Sequence, residues 1–266
     1  RRVLFRSIAV DAQGNASVGG YTSTTDFPTT QGAYKTSFAQ GLEKLTDGFV
    51  LRLNASGNAL LASTLLGGSS RVDNVTSLAL DPAGNFCAAG IAGSDDFPNS
   101  DPAIGKVERG GAAFVARISA DATTLIHANV LDAGGQDATK GVAVDTAGNI
   151  YVTGTTQDGI PTASNGARFP RTQGTFQYPD VVVPGKGRRL DNAFIAKFAP
   201  NGQLIYSSVL GAGQPVSITI DQDGNPCIVG FSQFFETLGH FGTPDYQKFD
   251  VFPLTDKTLV WQDSPT

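Results

Sequence analysis

The chain is predicted to be all-β, a β-propeller of four four-stranded antiparallel blades, and three observations carry that reading. The first is a recurrence. Ile8-Ala9-Val10-Asp11-x-x-Gly14-Asn15 returns as Leu78-Ala79-Leu80-Asp81 to Asn85, Val142-Ala143-Val144-Asp145 to Asn149, and Ile218-Thr219-Ile220-Asp221 to Asn225, with steps of 70, 64 and 76 residues between aspartates. A repeat of that size marks an array of one supersecondary element. The second is that each unit reads as two hairpins. The third is that helical periodicity is missing throughout, while apolar residues alternate over short runs bounded by turn residues.

The first hairpin of each unit turns on Asp-x-x-Gly, the signature of a type I turn closed by a left-handed glycine, and Pro82 sits where a proline ring pre-sets the required φ. The second hairpin runs from Phe49–Leu53 through Asn54-Ala55-Ser56-Gly57 to Ala59–Leu66 in unit one. Phe114–Ile118 with Ser119–Ala122 and Phe194–Phe198 with Ala199-Pro200-Asn201-Gly202 repeat it in units two and three. Unit two has lost the glycine. Phe249–Phe252 and Thr258–Trp261 are the weakest copy. The expected blades are about 8–70, 77–135, 141–213 and 216–266. A four-stranded sheet recurring radially is a propeller blade, and stacking buries both of its faces.

Between the hairpins lies a loop with its own signature: Asp26-Phe27-Pro28-Thr29-Thr30, Asp96-Phe97-Pro98, and Phe169-Pro170-Arg171-Thr172. The Phe follows the strand-end glycine by 7 residues in units one and two and by 15 in unit three, so unit three carries an insertion. Between Thr155 and Leu190 it holds Arg168, Arg171, Lys186, Arg188 and Arg189 against Asp158 and Asp180, a local +3 in a chain of net charge −5. Such a charge run usually solvates a loop, and it can also attract an anionic partner.

Taken in this order, the motifs resemble the SBBP β-propeller repeat. Val142–Gly154 approximates its first segment, Asp26–Thr30 its second, Asp47–Leu53 its third and Ser63–Gly68 its fourth. The resemblance covers Ser7 to about residue 213 well and the remainder loosely. It implies a module of a large secreted or cell-surface bacterial protein, extracellular and flanked by other domains of the same longer chain. It implies no catalytic residues and no cofactor. It also implies a larger ring, so the four blades are expected to be part of one rather than a closed circle.

Bulk properties narrow the partners. With 266 residues, 40% hydrophobic and 16% charged, the chain is long and apolar enough for a folded core. A pI near 4.9 offers no overall footprint for nucleic acid. No apolar run approaches the roughly 20 residues of a membrane-spanning helix, so no membrane insertion is expected. Cys87 and Cys227 occupy equivalent places in units two and four, too far apart for a disulfide in a propeller. Both are expected to be free and buried. Arg1–Ser7 resembles a translated sequencing adaptor; it is expected to be non-native and outside the fold, with the natural protein beginning upstream.

Chemistry finds little purchase. Asp221-Gln222-Asp223-Gly224-Asn225 superficially resembles a calcium loop, but the same hairpin turn recurs elsewhere without the second acid, and no later acid completes the ligand set. No Gly-x-Ser-x-Gly elbow exists. His127 lies in a strand and His240 in a glycine-flanked loop, too scattered for a metal site. Asp95-Asp96 reads as a solvated turn rather than a glycosidase pair. The expectation is therefore a non-catalytic scaffold or binding module without cofactor or metal, whose partner is a protein or glycan. Phe27, Phe97, Phe169, Arg168, Arg171, Lys186, Arg188 and Arg189 would line the recognition face. The alternative is a lactonase- or lyase-like propeller enzyme with an axial metal, the recurring turn aspartates supplying its ligands.

Overall fold

A computed structural model describes residues 2–38, 45–107, 111–157, 169–176 and 191–232. Strands β1 (Val3–Val10), β2 (Ala16–Thr22), β3 (Asp47–Leu53) and β4 (Leu60–Leu66) form one antiparallel sheet in sequence order. Strands β5 (Asp73–Leu80), β6 (Phe86–Ala92), β7 (Ala112–Ile118) and β8 (Leu125–Leu131) form a second. The third contains β9 (Ala138–Val144), β10 (Ile150–Thr156), β11 (Asn192–Phe198), β12 (Leu204–Ile220) and β13 (Pro226–Ser232). Its unusual member is β12. The first part pairs with β11 as the outer strand of the third unit, and the second part pairs with β13 as the inner strand of the next.

The described residues thus hold three four-stranded units and one further hairpin, rather than four complete blades. The hairpin expected at Phe249–Trp261 lies outside them. Residues 3–7, expected outside the fold, are the first half of β1: Val3, Leu4 and Phe5 pair with Thr22, Tyr21 and Gly20. The physical reason is their extended, alternating apolar character, which continues the inner strand in register.

The inner turns form as the sequence predicts. Gly14, Gly84, Gly148 and Gly224 take φ between 79 and 83°, a region that only glycine enters freely. Each aspartate then ties its own turn. Asp11 Oδ1 accepts from the Gln13 and Asn15 amides and its Oδ2 from the Asn15 side chain, and Asp81, Asp145 and Asp221 repeat the pattern. In the outer turn of unit two, where the glycine is lost, Ala122 itself adopts φ 62°.

Units pack through their inner strands. Strand β1 lies beside β5, β5 beside β9, and β9 beside β12. Each of these strands carries a bulge at the same place, at residues 6, 76, 140 and 216. A bulge bends a strand and increases its twist, here one blade after another. Neighbours are joined by hydroxyls: the Leu78 amide donates to Ser7 Oγ at 3.0 Å, and the Val142 amide to Ser77 Oγ at 3.2 Å. A methyl on Gly19 would come within 2.8 Å of Val75, so the first junction needs that glycine for close approach.

The core lies between blades. One apolar cluster mixes Val50 and Leu66 of the first unit with Val75, Leu78 and Phe114 of the second. Another mixes Cys87 and Leu131 of the second with Val142, Val152 and Phe194 of the third. Two arginines bolt successive blades. Arg52 Nη2 donates to Gly84 O at 2.6 Å and Nη1 to Ala120 O at 3.3 Å, gripping both hairpin turns of the next unit. Arg117 grips Gly148 O and Pro200 O of the third unit in the same way.

Candidate functional site

The β2–β3 loops and the blade-to-blade connections share one face of the array. Thr46, entering β3, bridges Val72, entering β5. This is the face on which recognition is expected, and its construction begins with the three Phe-Pro loops. Phe27 lies 4.4 Å from Phe49, Phe97 4.7 Å from Phe114, and Phe169 4.5 Å from Phe194, centroid to centroid and tilted. All three rings are buried inside their blades rather than displayed on a loop surface. The physical reason is the third-strand Phe of each unit, which leaves an apolar ring that the loop returns to cover.

Three residues after each of these rings, the loop straps the outer strand. Thr30 N donates to Ser63 O at 3.1 Å while Ser63 N donates to Thr30 Oγ1 at 3.0 Å. Ser100 and Ala128 form the same reciprocal pair, as do Thr172 and Ser207. The strap satisfies backbone groups that an outer edge strand would otherwise leave open to other chains. Arg171 sits beside this strap, half-buried. Arg168, Lys186, Arg188 and Arg189 lie outside the described residues.

Behind the loops is a buried charged cluster that the sequence reading did not weigh. Lys35 Nζ sits 3.1 Å from Asp47 Oδ2 and donates to Gly67 O at 2.8 Å and Gly68 O at 3.2 Å. Asp73 accepts from the amides of Gly68, Gly93 and Ser94. Asp137, its register equivalent in the third unit, accepts from the Ala133 and Gln157 amides, and burial pushes its carboxyl above the usual carboxylate range. The signal was available: Asp73 and Asp137 each stand five residues before the recurring Leu78 and Val142. Asp95 and Asp96 are divided between partners, Asp95 with Arg71 at 3.6 Å and Asp96 accepting from the Ser69 amide at 2.7 Å.

On the opposite face, the aspartates that an axial metal would need are committed to their turns. The Asn15 side chain holds the Asp11 carboxyl below its usual range, and the Asn225 amide does so for Asp221. The Asp221–Asn225 segment has the same bonds as its three counterparts. Among the described residues, no group of three or more His, Cys, Asp or Glu side chains converges. No helix of the described residues is long and apolar enough to cross a membrane.

Between the second and third units lies a polar row, Cys87, Arg117 and His127, paired strand to strand across β6, β7 and β8. Arg117 Nη1 lies 3.5 Å from Asp81 Oδ2, with both groups almost fully enclosed. His127 Nδ1 pairs with Asn129 Oδ1 at 3.2 Å, its Nε2 meets no partner, and its ring backs onto Gly202. Burial, then the neighbouring Arg117 charge, lowers the His127 pKa to about 4. Burial pushes the Cys87 thiol up to about 12, which makes it inert as a nucleophile at neutral pH. Both cysteines are free, but Cys227 is exposed rather than buried, because no described blade covers its side of β13.

Residues 129–161 match the family model SBBP, described as a beta-propeller repeat. The match runs from the outer strand of the second unit through β9 and β10 of the third. No curated protein matches the chain.

Proposed function

We propose that this chain, which carries the SBBP β-propeller repeat, is a non-catalytic module of a secreted or cell-surface bacterial protein. Its blades form part of a larger ring, flanked by other domains of the same polypeptide. It serves as a scaffold, and its loop face, with the basic insertion of unit three, binds a protein or an anionic glycan. Loops on a rigid frame are where recognition usually resides.

One observation carries the non-catalytic reading. The carboxylates recurring at the inner hairpins, which an axial site would draw on, are all committed to bonds within their own turns. The burial of Phe27, Phe97 and Phe169 leaves contact with a partner to the polar loop residues around them, Arg168, Arg171, Lys186, Arg188 and Arg189 foremost.

A glycan array and a pull-down compare the chain with a variant carrying Arg171→Glu, Arg188→Glu and Arg189→Glu. The expected result is binding to a sulfated or carboxylated glycan, or to a protein, that weakens at least tenfold in the variant. Stoichiometric calcium or zinc together with lactone hydrolysis or polysaccharide cleavage would replace this reading with the enzyme.

A further inference from the structure

Three successive blade junctions repeat one set of positions. At the first, Val75 and Leu78 are buried against Gly19, and Leu78 is hydrogen-bonded through its amide to Ser7. At the second, Thr139 and Val142 hold the same register and are buried, with the Val142 amide on Ser77. At the third, Pro215 and Ile218 are buried, Ile218 against Gly141. The register is set by pairing: Leu78 opposes Ala88, Val142 opposes Val152 and Ile218 opposes Ile228.

One blade earlier, Phe5 and Ile8 stand in these positions, and they are 63% and 66% exposed. At the other end, Val229 stands where Gly19, Ala89 and Thr153 stand, and Ser217 where Ser7 and Ser77 stand. Val229 is 64% exposed, Phe231 on the same side of β13 is 71% exposed, and Cys227 and Ser217 are exposed with them. The two ends are thus the separated halves of one junction. Large apolar side chains on one contiguous face are how an interaction surface announces itself. The halves also match in kind. Val229 has nearly the shape of Thr153, which lies buried at the third junction, and Ser217 offers the hydroxyl that Ser7 and Ser77 use.

We propose that a second copy of this chain occupies these faces: the Phe5 and Ile8 side of β1 in one copy docks on the Ser217, Cys227 and Val229 side of β12 and β13 in another. Continuity with the three intrachain junctions selects a copy of the chain, because both complementary halves are present on it and the side chains named are uncharged. The contact is heterologous, so successive copies either close a ring or run on as an open chain. This rests on the reading of the chain as part of a larger ring and names what completes it.

Light scattering after size-exclusion chromatography tests it, using the whole chain and the variants Ile8→Asp and Val229→Asp. Both positions are exposed, so neither change disturbs the blade interior. The expected result is assembly of the unaltered chain, monomers for each variant alone, and a dimer in their equimolar mixture, where one intact pair of faces survives. A monomeric unaltered chain, a mixture that stays monomeric, or assembly lost in Ile8→Asp but kept in Val229→Asp would each overturn the proposal. Alkylation of an Ile8→Cys thiol separates the two readings when the chain is monomeric. A fast-reacting thiol leaves the larger ring standing without a second copy, and a protected thiol removes both.

Discussion

Single side chains in this protein show how polar groups are absorbed into architecture. The turn aspartates were legible because the whole motif, Asp to Asn, lies within five residues. His127 was not, since its neighbours Arg117 and Gly202 come from another strand and another blade. The ring is held neutral by burial and by the Arg117 guanidinium, which itself faces Asp81; its titration lies at about 4 against an ordinary 6.5. The folded state therefore binds no proton on His127 over a window in which the unfolded chain does. Stability is fully present above pH 6.5 and falls by about 3 kcal/mol as the pH drops toward 4. Urea unfolding at pH 7 and pH 4.5 reads this directly. The unaltered chain should lose markedly more stability between the two than His127→Gln, and equal losses would contradict the assignment. Asp137, raised by burial, has the opposite trend but is common to both proteins.

At the scale of elements, hairpins and turns followed from local sequence, whereas the destination of the Phe-Pro loop did not. A loop residue's direction depends on what lies beneath it, and the rings of Phe49, Phe114 and Phe194 arrive from a strand further along the chain. With that partner known, the motif reads as plug and strap: the phenylalanine fills the blade, and Thr30, Ser100 or Thr172 closes its edge. Truncating Phe97 to Ala leaves a cavity over Phe114 and is expected to cost about 3–5 kcal/mol in urea unfolding. A loss under about 1 kcal/mol would place the ring at the surface, where the sequence alone had it. The inner strands show a similar division. Their periodicity was plain, but the bulge was not, because an extra unpaired residue leaves the alternation on either side looking regular.

Over the whole molecule, repetition made the architecture readable, since each unit must bury the same faces against its neighbours. Blade boundaries were less accessible. Nothing in the composition around residues 211–216 signals that β12 passes unbroken from the third unit into the next, and the first residues join β1 because they extend its alternation. The account depends on inner strands lying side by side around a hub, joined by hydroxyl-to-amide bonds that repeat with the blades. Nuclear Overhauser spectroscopy of the labelled chain tests this most directly. Cross-peaks are expected from the Leu78 amide to the β-protons of Ser7 and from the Val142 amide to those of Ser77, beside the cross-strand peaks within each sheet. Sheets showing their internal cross-peaks with neither of these would mean that the blades do not meet at a hub, and the propeller would be contradicted.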